Sequence, residues 1–183
     1  MHMREFGRSL FPALVAAVAV AAMGDAARAQ TPVPTATTAG EIVPPPGLQL
    51  VCRVQAGGEQ VYACRAAANG APTWTLVGPK AQLFNDDGSD FGTHAAGPRW
   101  TAADGSSIVA DGGHPLARVE RSGGVPALLL RVTTATGTGV LTNVKQISRT
   151  QTAGGLAPTG GCDNEHINAT VGERYTAVYS FFQ

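Results

Sequence analysis

From residue 48 onward the apolar positions recur with a period of two. Leu48, Leu50, Cys52 and Val54 alternate with other positions, Gly57-Gly58 follows, and then Val61, Ala63 and Arg65 alternate against Tyr62 and Cys64. A period of two is the signature of a strand with one buried face. The Gly-Gly pair reads as a hairpin turn, which sets Cys52 opposite Cys64. The segments 73–78, 80–85, 99–102, 106–110, 116–121, 126–134, 139–149 and 173–183 are short and rich in Val, Leu, Ile, Thr and aromatics. Gly, Pro, Asn and Asp punctuate them. Ala127-Leu128-Leu129-Leu130 is continuously apolar, as a strand buried on both faces would be. Tyr175 to Phe182 reads as a central strand that completes the sheet. Asp-Gly-Ser recurs at 87–89 and 104–106, and Asp-Gly favours a tight turn because glycine tolerates positive φ. A short helix is expected near 164–170 at most. The pattern predicts an all-β, single-domain antiparallel β-sandwich or β-barrel of about ten short strands.

The first 29 residues follow a different pattern. Arg4 and Arg8 precede an apolar run from Leu10 to Met23, and Ala27-Arg28-Ala29 supplies a small-x-small cleavage site. This is the layout of a Sec-type signal peptide, with an apolar run too short for a permanent span. The expected organisation is a signal peptide at 1–29, a flexible Pro/Thr-rich lead-in at 30–46, and one β domain at 47–183. Removing 29 of 183 residues leaves 154, ample for one core. The leader takes three of 13 basic and two of 13 acidic residues, so 10 bases face 11 acids in the remainder. That near-neutral balance argues against nucleic acid and anionic membranes, which demand concentrated positive charge. No later apolar run approaches 18 residues, so no integral membrane segment is expected after cleavage. The expected location is secreted or periplasmic. An oxidising compartment permits a disulfide, and with three cysteines two pairings compete. Cys52–Cys64 would cross the first hairpin, whereas Cys64–Cys162 would tie it to the C-terminal segment.

One stretch concentrates chemistry. His94, Trp100, Asp104 and Ser106 fall within a loop, strand and turn. His94 titrates near working pH and suits acid–base work, Asp104 suits orienting it, Ser106 suits a nucleophile if a base lies in reach, and Trp100 suits stacking on a sugar or an apolar ligand. Each also has a structural explanation in turns and core. The chain lacks Gly-x-Ser-x-Gly and His-Glu-x-x-His, which disfavours a nucleophilic hydrolase and a zinc protease. Cys162-x-x-x-His166 is half a zinc pattern, and the three histidines His94, His114 and His166 show no ligand spacing. Asn85 to Asp90 is rich in oxygen ligands but lacks the closing Glu of a calcium loop, so a polar turn is expected there. Thr133–Gly139 reads as a hairpin turn. No metal or other cofactor is expected.

A longer pattern spans nearly the whole mature part. It runs Gln60-Val-Tyr-Ala-Cys64, Trp74, Pro79-x-Ala81-x-Leu83, Asp87-Gly88, Gly92-x-His94-x-x-Gly97-Pro98-x-Trp100 and Asp104-Gly105-Ser106, and continues to Leu128-Leu-Leu, Gly139-Val-Leu, Arg149-x-x-Thr152-x-Gly154-Gly155-x-Ala157-Pro158-x-x-x-Cys162 and Tyr175-x-Ala177-x-Tyr179. In order and spacing it resembles a secreted family of bacteria and fungi catalogued as domain of unknown function 3455. The resemblance implies a single compact β-rich extracellular domain and no particular activity. Its pattern includes positions matching Cys64 and Cys162, which implies that pair as the bridge and Cys52 as the odd cysteine. His94-Ala95-Ala96 departs from the family's more aromatic neighbour at that point. The leading functional expectation is a non-catalytic domain that binds an extracellular ligand, such as a glycan, a small molecule or a surface component. The alternatives are a small secreted enzyme using His94 and Asp104, and a purely structural envelope protein.

Overall fold

The computed structural model describes residues 42–68 and 70–183. The stretch expected to be a signal peptide and the expected lead-in up to residue 41 lie outside the described residues. Nine strands occur among them and no helix: β1 (Leu50–Ala66), β2 (Pro72–Phe84), β3 (Asp90–Ala95), β4 (Arg99–Ala102), β5 (Ser107–Ala110), β6 (Ala117–Arg121), β7 (Gly124–Thr136), β8 (Gln146–Gly154) and β9 (Thr170–Phe182). All pairings are antiparallel. The order is β5-β4-β3-β2-β1-β9-β8-β7-β6, and a further β5–β7 pairing closes eight of the strands into a ring. Strand β7 makes this closure possible by serving two partners on one edge. Its first half pairs with β6 and its last residues, Val132–Thr136, pair with β5. The architecture is therefore a closed barrel.

Cross-strand rungs show how alternation fills the interior. Ala81, His94, Trp100 and Ile108 are successive partners across β2 to β5, and all four are buried. Val54, Tyr179, Arg149 and Leu128 form a rung across β1, β9, β8 and β7. Leu128 and Leu130 join the barrel core, while Ala127 and Leu129 pack outside it with Ile42, Leu116, Ala117 and Val119. This two-sided burial explains the unbroken apolar run at 127–130. Ile42, from the stretch expected to be a flexible lead-in, is buried in that outer cluster. Strand β9 lies between β1 and β8, as the terminal run implied.

Several local expectations are corrected. Gly57-Gly58 is not a turn, because β1 runs unbroken for 17 residues through it. Glycine is required at 58 for close approach: a Cβ there would collide with Lys80 O and with Ala81 of β2. The Cys52–Cys64 alternative falls with the turn. Twelve residues along one strand span about 40 Å, far beyond disulfide reach. The bridge is Cys64–Cys162. Cys52 is a free, half-buried thiol, pushed up to about 11 by burial and so poorly nucleophilic. Segments 73–78 and 80–85 fuse into β2 through Pro79, and β3 is a strand the pattern did not mark. Residues 163–168 form turns instead of a helix, with the Asp163 carboxylate accepting from the backbone N–H groups of Glu165 and His166.

Each end of the barrel is finished differently. At one end the segment 137–145, expected to open a strand at 139, folds inward and buries Leu141 and Val144 as a plug. At the other, residues 155–169 cross the extended end of the β1–β2 ribbon as a strap. Tyr62 Oη donates to Gly155 O at 2.6 Å, Trp74 Nε1 donates to Gly160 O at 2.8 Å, and the disulfide fixes Cys162.

Candidate functional site: the barrel lumen

The β3–β4 hairpin separates the four candidate residues. His94 pairs with Trp100 one rung from the tight turn at 96–98, and Asp104 lies beyond the opposite end of that ladder. His94 and Trp100 point into the barrel, 2% and 1% exposed. Their rings stack at 4.1 Å between centroids, and Tyr179 meets both edge-on. His94 Nδ1 lies 2.8 Å from Arg99 O. A carbonyl only accepts, so Nδ1 carries the hydrogen and Nε2 is left as an acceptor. Burial, with the nearby Arg149 guanidinium adding to it, pushes the imidazole down to about 3. The ring is therefore neutral at ordinary pH.

Asp104 and Ser106 do something else. Ser106 Oγ donates to Asp104 Oδ1 at 2.6 Å and accepts from Leu141 N at 3.1 Å. Asp104 Oδ2 accepts from Val140 N at 2.7 Å. The bonds from Ser106 and then Val140 hold the Asp104 carboxyl below its usual range. Together the two residues latch the plug over the closed end of the barrel. Ser106→Ala is expected to leave the buried Leu141 N–H without its acceptor, at a cost of about 1–3 kcal/mol. The midpoint of urea unfolding should fall accordingly, and an unchanged midpoint would show that the latch carries no stability.

The open end holds a cavity of about 710 Å³. Its walls bring together His94, Trp100, Tyr179, Gln60, Tyr62 and Arg149, with Leu128, Leu130 and Val125 as apolar surface. Leu76, Val77 and Leu156 stand exposed at the mouth. Asp104 and Ser106 are not among the lining residues. Gln60 Nε2 and Trp100 Nε1 are buried donors with no hydrogen-bond partner in the protein, while the Tyr179 hydroxyl interacts with the side chains of Tyr175 and Arg149. Burial also raises the Tyr179 hydroxyl well above its usual range. Arg149 Nε donates to Pro126 O at 3.0 Å. The alternation that ranks Leu128 and Tyr179 inward ranks Arg149 inward between them. Gln60, Arg149 and Tyr179 were missing from the candidates. The available signal was a polar residue in core phase: Arg149 follows Ile147 by two, and Gln60 follows Val54 and Ala56 on the same face.

Among the described residues no three His, Cys, Asp or Glu side chains converge as a metal group. Among the described residues no helix is long and apolar enough to cross a membrane. Fold and lumen together define a closed antiparallel β-barrel domain, plugged at one end and hollow at the other. Residues 44–183 match the family described as Protein of unknown function (DUF3455), and the chain belongs to that family. No curated protein and no solved structure matches it.

Proposed function

We propose that the protein is a non-catalytic binder that takes a small, partly apolar molecule into its barrel lumen. The unpartnered polar atoms of Gln60 and Trp100 carry this reading. A buried polar group without a partner costs about 1–3 kcal/mol, and two of them belong to residues that line one cavity. A bound molecule that supplies acceptors offsets that cost, and His94 Nε2 supplies the complementary acceptor. An enclosed, largely apolar cavity with a few polar groups is the usual form of a small-molecule site. A surface glycan is less well served, because Trp100 is buried against His94 and offers no outward face. Acid–base catalysis by His94 and Asp104 is also less well served. A buried imidazole near 3 is a weak base, and Asp104 is engaged with the plug. The signal-peptide pattern and the Cys64–Cys162 bridge support a working place outside the cytoplasm.

The test uses the neutral fluorophore N-phenyl-1-naphthylamine, which brightens in apolar surroundings. Saturable brightening is expected with the wild-type protein. It should be lost in Ala110→Phe, which fills the lumen from β5. A folded wild type without saturable brightening, or an Ala110→Phe variant that binds equally well, would overturn the reading.

A further inference from the structure

We infer that the lumen selects an amphipathic carboxylate, its acid group held on Arg149 and its apolar body directed toward Leu76, Val77 and Leu156. This rests on the lumen-binding reading above and adds the charge and orientation of the ligand. Among the described residues Arg149 is the one cationic side chain that the barrel register turns inward at mid-depth, between Leu128 and Tyr179. Its Nε is committed to Pro126 O and the guanidinium also interacts with the Tyr179 hydroxyl, which holds the cation in place within the lumen. Among the described residues it forms no salt bridge, whereas Arg118 at the mouth is neutralised by Glu120 at 2.6 Å. Glu173 pairs across the ladder with Gln60, and Glu173 and Arg149 both act on the Tyr62 hydroxyl, with no salt bridge joining the two among the described residues.

A half-buried guanidinium is matched best by a planar oxyanion that accepts two parallel N–H bonds. The neighbouring Trp100 Nε1, a donor without a partner, is of the same sign. The mouth is different in kind. Leu76, Val77 and Leu156 are large apolar residues exposed to solvent around the opening of this lumen. A cation at depth and an apolar rim at the entrance together define an acid with a hydrocarbon body, entering acid-first. A free metabolite acid and a fatty acid released from a lipid share this chemistry, and chain length separates them.

The experiment is displacement of N-phenyl-1-naphthylamine by decanoate, by decan-1-ol and by methyl decanoate, with butanoate as the short-chain arm. Decanoate should displace the fluorophore at a concentration lower than either neutral analogue by about tenfold or more, the usual worth of a charge-assisted hydrogen bond. In Arg149→Gln the fluorophore should still bind and the preference should shrink to about twofold or less. Butanoate displacing as well as decanoate assigns the site to short acids, and displacement by decanoate alone assigns it to fatty acids. Either result supports a carboxylate. Equal displacement by acid, alcohol and ester, or an acid preference that survives in Arg149→Gln, overturns the inference while leaving the lumen reading intact. Loss of fluorophore binding in the wild type would instead overturn the lumen reading itself.

Discussion

Replacing both Cys64 and Cys162 by alanine is expected to lower the free energy of unfolding by about 4–5 kcal/mol, the chain-entropy value for a loop near 100 residues. The cysteines are 98 positions apart, so the crosslink restrains most of the barrel sequence in the unfolded chain. In the native state the same bond is the covalent hold on the strap, which otherwise depends on Tyr62, Trp74 and backbone contacts such as Asn168 N to Cys64 O at 2.9 Å. Urea unfolding of the double variant beside the oxidised wild type measures the loss. A difference below about 1 kcal/mol would mean that the strap and the ring fold independently of their crosslink.

The second large effect is a dependence on pH. His94 is pushed from an ordinary 6.5 to about 3 in the folded protein, chiefly by burial. Between those values the unfolded chain binds a proton at this position and the native protein does not. Stability from this group is therefore complete above pH 6.5 and declines as pH falls toward 3, by up to about 1.4 kcal/mol per pH unit. The lowered carboxyls of Asp87, Asp104, Asp111 and Asp163 act in a lower window, because their stabilising contribution is lost only below 3.8. Urea midpoints from pH 7 to pH 4 should fall steeply in the wild type. They should fall less in His94→Gln, whose amide retains a donor for Arg99 O but does not titrate in this range. Parallel slopes in the two proteins would show that the ring is protonated without penalty.

What could be read from sequence was what one strand decides for itself. Tyr175 to Phe182 and Ala127 to Leu130 announce their burial because each residue's phase is set by its neighbours in the chain. Gly57-Gly58 misled because a glycine pair looks the same whether it permits a turn or the approach of a neighbouring backbone, and here Lys80 and Ala81 provide the reason. That error reversed the phase of β1 and hid Gln60. The choice of barrel over sandwich was not legible, since it rests on β7 reaching β5 after pairing with β6. The site was half legible for a related reason. His94 and Trp100 meet because they share a rung, while Asp104 and Ser106, equally near in sequence, belong to the far end of the same ladder. Arg149 and Tyr179 arrive from strands 50 to 85 positions away, and only the register brings them in.

Ring closure has a consequence for crowding of the molecule with its own copies. An open sheet exposes two rows of backbone donors and acceptors on which another chain can nucleate a fibril. Here eight strands pair in a ring, the first half of β2 extends beyond its β3 partner, and the sheet ends at β6, five residues long. Its exposed side carries the Arg118–Glu120 ion pair, so an incoming strand would have to dehydrate fixed charges to align there. Among the described strands the fold thus confines its amyloid-forming frontier to the charged ribbon of β6 and the first half of β2, where Leu76 and Val77 are the apolar residues exposed.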